Sequence, residues 1–221
     1  MLDSGAYSRI GSSVVYNIED KMIFLANKVL FIHNPKCAGS AIKTALRKKY
    51  KGEKPALTDW HYNYNQVFKK NPMVARNFFR FAFIRNPIDR FVSAYYYNME
   101  KVADRADYHW NSYPKSYPIL EEYLNKDIND FIQSEHFDKI LNPFFPVHFK
   151  KQIYFINDKK NFDVIGKYER LKRDIVRVGL ESIEVENKST HKDYKDILSD
   201  DSIQRLEATY DKDFTLYEEV K

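Results

Sequence analysis

Val29-Leu30-Phe31-Ile32-His33-Asn34-Pro35-Lys36-Cys37-Ala38-Gly39-Ser40-Ala41-Ile42 is the stretch on which the reading of the fold turns. Its first four residues are a short apolar run closed by Asn34-Pro35, the pattern of a strand buried on both faces of a parallel sheet. From Ser40 to Tyr50 the period changes, and Ile42, Ala45 and Leu46 fall at helical spacing. A strand, a tight loop and a helix therefore follow one another. The loop suits an anion: the first N–H groups of a helix have no carbonyl partner within it, the helix dipole adds positive charge, and small residues let a phosphate approach the backbone. Lys36 adds a full charge and Ser40 a hydroxyl. Taken alone, the segment reads more simply as a tight turn with an incidental lysine. It is not a G-x-x-x-x-G-K-[ST] loop, since Lys36 precedes Gly39, and this disfavours an ordinary P-loop kinase.

The segment is not alone. A second unit starts at Phe79 to Ile84, where Asn86 is placed to cap a helix with Pro87 at its first position. Ile88, Phe91, Val92, Tyr95 and Met99 then form one apolar stripe. Arg85 sits at the end of that strand and Ser93 two turns into that helix. Ligands of parallel sheets bind at the carboxyl ends of the strands, so Lys36 and Arg85 are two cationic anchors at one edge. Such a pair suits a nucleotide with phosphates at both ends.

Around these units, Ala103 to Pro146 mixes Tyr, Trp, Pro and Asn with one helical segment near Ile119 to Gln133 and reads as an irregular insertion, the kind of loop that serves a site. Ile153 to Ile156 and Val164 to Tyr168 read as strands. Leu171 to Val178, stopped by Gly179, and Ser202 to Tyr210 read as helices. The alternation predicts an α/β fold with a parallel sheet flanked by helices. With 221 residues and no repeat or linker, one domain over 1–221 is expected, comprising an N-terminal extension 1–27 and the insertion 103–146.

Composition narrows the classes. There are 36 Lys and Arg against 31 Asp and Glu, a net charge of +5, which suits anionic ligands without choosing among them. The single cysteine, Cys37, excludes an intramolecular disulfide, and no Cys/His cluster has zinc-site spacing, so no metal is expected. Met1 to Asp20 contains Asp3, Arg9, Glu19 and Asp20 and no continuous apolar stretch, so neither a signal peptide nor a membrane anchor is expected. These features together predict a cytoplasmic protein.

Pro35-Lys36-Cys37-Ala38-Gly39-Ser40 resembles the 5′-phosphosulfate loop of the carbohydrate sulfotransferases, the family 2 group that includes heparan sulfate 2-O and chondroitin sulfotransferases. Arg85-Asn86-Pro87 through Arg90, with Ser93-Ala94-Tyr95, resembles their 3′-phosphate motif. Gln152-Ile153-Tyr154, Val164 to Leu171, Asn187 to Tyr194 and Tyr210 to Tyr217 resemble later family segments in the same order, so the likeness runs from about Val29 to Tyr217. The resemblance implies a P-loop-kinase-like fold and 3′-phosphoadenosine 5′-phosphosulfate (PAPS) as donor. By position, Lys36 would contact the bridging oxygen and the sulfuryl group. The amides of Cys37, Ala38, Gly39, Ser40, Ala41 and Ile42 and the Ser40 hydroxyl would hold the 5′-phosphate, and Arg85 and Ser93 the 3′-phosphate. Lys192, with His191, would cover the nucleotide. Ala41 departs from the family, which often has a second hydroxyl there.

The acceptor hydroxyl needs a base, and six histidines compete: His33, His61, His109, His136, His148 and His191. His61, in Thr58-Asp59-Trp60-His61-Tyr62-Asn63, lies between the two phosphate motifs, where the family often has a histidine taken to be the base. His148, just before Gln152, is its rival. Tyr95, Tyr96, Tyr97, Tyr108, Trp110, Tyr113 and Tyr117 offer faces on which sugars stack, although Tyr95 also falls on the helix stripe. The resemblance, and not these rings, implies a glycan acceptor. A nucleotide or small-molecule kinase would show a Walker lysine followed by a hydroxyl residue, and a nucleic-acid-binding module would concentrate its basic residues.

Overall fold

The computed structural model describes residues 23–24, 27–51, 62–105, 107–181, 183 and 192–221. Most of the expected N-terminal extension, His61, and residues 187–190 and His191 of the late segment lie outside these. In chain order the elements are β1 (Ile23–Phe24), β2 (Val29–Ile32), α1 (Gly39–Lys49), α2 (Tyr64–Lys70), α3 (Pro72–Asn77), β3 (Phe79–Ile84), α4 (Pro87–Ala103), α5 (Asp107–Ser112), α6 (Tyr117–Glu121), α7 (Ile128–Gln133), α8 (Gln152–Ile156), β4 (Val164–Lys167), α9 (Leu171–Asp174), α10 (Asp200–Thr209) and α11 (Asp211–Glu219). The strands lie in the order β1-β2-β3-β4. β2, β3 and β4 are parallel, with Ile32 opposite Ala82 and Ile84 opposite Lys167, and β1 is antiparallel to β2. The fold is α/β, a three-stranded parallel sheet flanked by helices, as the alternation predicts.

Strand periodicity divides the sheet's side chains between two cores. Val29, Phe31, Phe81 and Phe83 point to one face and pack with Ile42 and Leu46 of α1 and with Leu171 and Ile175. Leu30, Ile32, Ala82 and Ile84 point to the other, against Tyr64 and Val67 of α2, Phe155 and Ile156 of α8 and Leu216 of α11. All four residues of β2 are buried, which is why that strand reads as an unbroken apolar run.

A third core lies around α4, whose stripe of Ile88, Phe91, Val92, Tyr95 and Met99 meets residues of the expected insertion and of α10. There the expectation is corrected. Instead of irregular loop, the described residues of 103–146 contain three short α-helices and a 3₁₀ turn (Phe137–Lys139), and Tyr117, Leu120, Tyr123, Ile128, Phe131, Ile132, Phe137, Ile140 and Phe145 are buried in this core. The helix expected near Ile119 to Gln133 is divided into α6 and α7, because the Asp127 carboxylate accepts the Asn129 N–H at 2.8 Å and starts a new helix. Leu171 to Val178 is also divided, into α9 and a 3₁₀ turn at Val176–Val178, ended by Gly179 at φ 75°.

The strand expected at Ile153 to Ile156 is instead α8. A four-residue apolar run does not distinguish the two states, and the decision comes from a distant carboxylate. Asp213 of α11 accepts the N–H groups of Gln152 (2.6 Å) and Ile153 (2.9 Å), capping a helix start. Asp213 is itself fully buried, 4.0 Å from the equally buried Arg90, whose guanidinium donates to the carbonyls of His148 and Lys150. Burial raises the Asp213 carboxyl pKa, a cost that Arg90 offsets. Arg90→Met should therefore destabilise the protein by about 3–5 kcal/mol, and adding Asp213→Asn should recover part of that loss. Urea unfolding measures both; a cost below about 1 kcal/mol for Arg90→Met would remove the pair from the account.

Candidate active site

The segment from Ile32 to Gly39 turns sharply at the carboxyl end of β2. Lys36 (φ 64°) and Ala38 (φ 61°) are both left-handed, a conformation that costs a non-glycine residue about 1–3 kcal/mol and gathers at functional sites. A Cβ on Gly39 would lie 1.8 Å from Nε2 of His33, so a larger residue there would displace the ring that closes against the helix start. The loop delivers the N-terminus of α1 with no side-chain cap. Within the expected phosphate-binding amides, Ile42 already donates to the Ala38 carbonyl at 3.0 Å. Those of Gly39, Ser40 and Ala41 have no helical carbonyl four residues back, so they are the ones an anion would meet.

Lys36 is mostly buried, and its ammonium stands 4.2 Å from the centre of the Tyr97 ring. Desolvation first, then the neighbouring Arg85 charge, lowers its pKa from 10.5 to about 8. Cys37 points inward, 1% exposed, and burial pushes its thiol up to about 12, so it is an inert packing residue and not a nucleophile.

The second anchor is tied to the first. Arg85 donates from Nη1 to the Lys36 carbonyl at 3.3 Å, pairs through Nε with Asp89 at 2.6 Å, and lies 4.3 Å over the Tyr168 ring. Asn86 accepts the N–H groups of Ile88 and Asp89 and so starts α4 as its sequence predicts. Gln152, wholly buried, joins the two loops: its Oε1 accepts the Arg85 N–H (2.9 Å) and the Asn34 amide (2.9 Å), and its Nε2 donates to the Arg85 carbonyl (2.8 Å). Asn34 also donates to the Phe83 carbonyl at 3.1 Å. Two cations and a helix N-terminus thus meet at the carboxyl edge of neighbouring parallel strands, the place where sheets of this kind bind anions.

A family model described as the sulfotransferase family matches residues 20–218. The chain belongs to the sulfotransferase family. It is therefore an enzyme that transfers sulfuryl groups to an acceptor, and the parallel sheet with its strand–loop–helix unit is the P-loop-like core of that family. No curated protein and no solved structure matches the chain. Among the described residues, no group of three His, Cys, Asp or Glu side chains is placed to hold a metal ion, and no helix is long and apolar enough to cross a membrane.

The sulfotransferase brings Lys36, Cys37, Ala38, Gly39, Ser40, Ala41 and Arg85 together. Ser93 lies within α4 and is only 2% exposed, while Lys192 is exposed, ahead of a 3₁₀ turn (Tyr194–Asp196) that packs against α4. His61 lies outside the described residues. Of the other histidines, His33 packs on Gly39, and His136 lies 3.1 Å from the Tyr123 hydroxyl at the edge of the third core. The His148 ring centre lies 4.7 Å from that of Tyr97, the ring that faces the Lys36 ammonium. Tyr95 and Tyr117 are core residues, whereas Tyr96 is exposed. Sequence reasoning placed Arg90 and Gln152 within family segments but gave them no role and did not single out Asp213, because their partners lie far away along the chain.

Proposed function

We propose that this sulfotransferase uses PAPS as donor and a carbohydrate hydroxyl as acceptor, by in-line displacement. The observation that carries the reading is the Arg85–Lys36 contact, which joins two cationic loops at one sheet edge and so suits a donor with phosphate groups at its 5′ and 3′ ends. The residues fit such a donor: Lys36, the Ser40 hydroxyl and the amides at the start of α1 would hold the 5′-phosphosulfate, and Arg85 with Ser93 the 3′-phosphate, with Lys192 over the nucleotide. In the step itself the acceptor oxygen bonds to sulfur while the sulfur–oxygen bond to the 5′-phosphate breaks. The electron pair stays on the phosphate beside Lys36, and the acceptor proton passes to a histidine nitrogen. We assign that nitrogen to His61, on the resemblance; His148 is the second reading, favoured by its contact with Tyr97. A cytoplasmic location, on the lone Cys37, belongs to the same proposal.

Thermal shift tests the donor. 3′-Phosphoadenosine 5′-phosphate at a hundred times its Kd should add about 2.7 kcal/mol to stability, while ATP and a DNA oligomer should add far less. A larger shift with ATP would favour a kinase, and one with DNA a nucleic-acid module. Arg85→Ala and Ser93→Ala should each weaken binding of that ligand while leaving adenosine 5′-phosphosulfate, which lacks the 3′-phosphate, nearly unaffected. Because Arg85 also holds the Lys36 carbonyl, Ser93→Ala should give the cleaner separation. Equal losses for both ligands would overturn the assignment.

A further inference from the structure

Tyr97 is where three parts of the molecule meet. It stands on α4, four residues beyond Ser93, and is half-buried. The Lys36 ammonium lies 4.2 Å from its ring centre, Lys101 5.7 Å, and the His148 ring 4.7 Å. Lys101 is engaged elsewhere, with Glu100 at 2.9 Å and Asp104 at 3.7 Å, so the short cation–π contact belongs to Lys36. A lysine has four rotatable carbons and no planar fork to fix its charge, so the position of its nitrogen depends on what its surroundings offer. Lys36 is largely withdrawn from water and has the Arg85 charge beside it, which disfavours the ammonium. An aromatic face is an attractive site for that ammonium which does not form a hydrogen-bonded ion pair and so leaves its N–H donors for an incoming anion. Tyr97 is in turn held by His148, whose segment Arg90 anchors through the carbonyls of His148 and Lys150.

We infer that Tyr97 is the positioning residue for Lys36: its ring face holds the ammonium at the place where charge develops on the leaving phosphate. The inference rests on the proposed role of Lys36. It differs from the reading of Tyr97 as a stacking face for sugar, and kinetics separate the two, because a ring that aims the lysine acts on the chemical step while a ring that stacks on the acceptor acts on acceptor binding.

The test compares Lys36→Ala, Tyr97→Leu, Tyr97→Phe and the Lys36→Ala/Tyr97→Leu double variant. Release of 3′-phosphoadenosine 5′-phosphate from PAPS is followed with and without chondroitin as acceptor, and folding is checked by thermal melting. Tyr97→Leu should lower kcat by about 5- to 30-fold, the value of a partly desolvated cation–π contact, with little change in either KM. Tyr97→Phe, which keeps the ring, should recover most of the rate. In the Lys36→Ala background, Tyr97→Leu should have almost no further effect, since the two residues act as one unit. Wild-type kcat in Tyr97→Leu, a rise in acceptor KM alone, or additive losses in the double variant would overturn the inference. If Lys36→Ala itself keeps full turnover, it is the underlying role of Lys36 that fails; if the wild-type protein leaves PAPS intact, it is the proposed donor or acceptor that fails.

Discussion

Lys36→Ala loses roughly 10²- to 10³-fold in kcat, with a much smaller change in the Kd for 3′-phosphoadenosine 5′-phosphate. The expectation follows from where the ammonium lies: it is withdrawn from water, beside the turn that delivers the start of α1, and it matters most when negative charge builds on the leaving phosphate. The lowered pKa, about 8, adds a pH signature. In the free enzyme the fraction carrying the charge falls as pH rises through about 8, so kcat/KM for the donor should fall there. A bound anion favours the ammonium, so the corresponding fall in kcat should lie at higher pH. Stability gives an independent check. A lysine whose folded pKa lies below its unfolded value binds fewer protons when folded between about 8 and 10.5, so stability rises with pH across that window, and at pH 7 the buried charge is a cost. Lys36→Met, which keeps the bulk and removes the charge, should therefore be at least as stable as wild type at pH 7 while losing activity like Lys36→Ala. A Lys36→Ala variant that keeps its kcat and only raises KM would end the proposed role.

His61→Ala is expected to lose roughly 10²- to 10⁴-fold in kcat and the acidic limb of the pH–rate profile, with donor affinity unchanged. An imidazole ordinarily titrates near about 6.5, so it is neutral and able to take a proton at pH 7, and the rate should rise with pH through that region in the wild-type enzyme. His148→Ala should behave differently. It removes the ring that packs on Tyr97, so a loss of up to about tenfold is expected through the placement of Lys36, with the acidic limb retained. If His148→Ala instead abolishes turnover and the acidic limb while His61→Ala keeps both, the base is His148, and the acceptor hydroxyl sits over Tyr97.

The residues that decide their own conformation were legible in the amino-acid order. Val29 to Ile32 forms a buried strand because every side chain is apolar, and Asn86-Pro87 starts α4 because a capping carboxamide and a preset φ sit side by side. Lys36 and Arg85 could be placed at one edge because consecutive strand–loop–helix units in a parallel sheet open toward the same side. What only the tertiary structure decided has in common a partner far away in sequence. α8 is a helix and not a strand because Asp213 caps it from sixty-one residues downstream of Gln152, as counted along the chain. The two anchor loops are joined by Gln152, 118 residues from Asn34. The aromatic residues of 103–146 fill a core and do not all line a cleft, because α4 and α10 close over them. Tyr97 of α4 stands 4.2 Å from the Lys36 ammonium of the loop after β2, a contact between two separate strand–loop–helix units. Local sequence carries the energies of backbone conformation and of periodic burial, whereas these contacts depend on which surfaces the packed sheet and helices bring together, and no window along the chain contains that information.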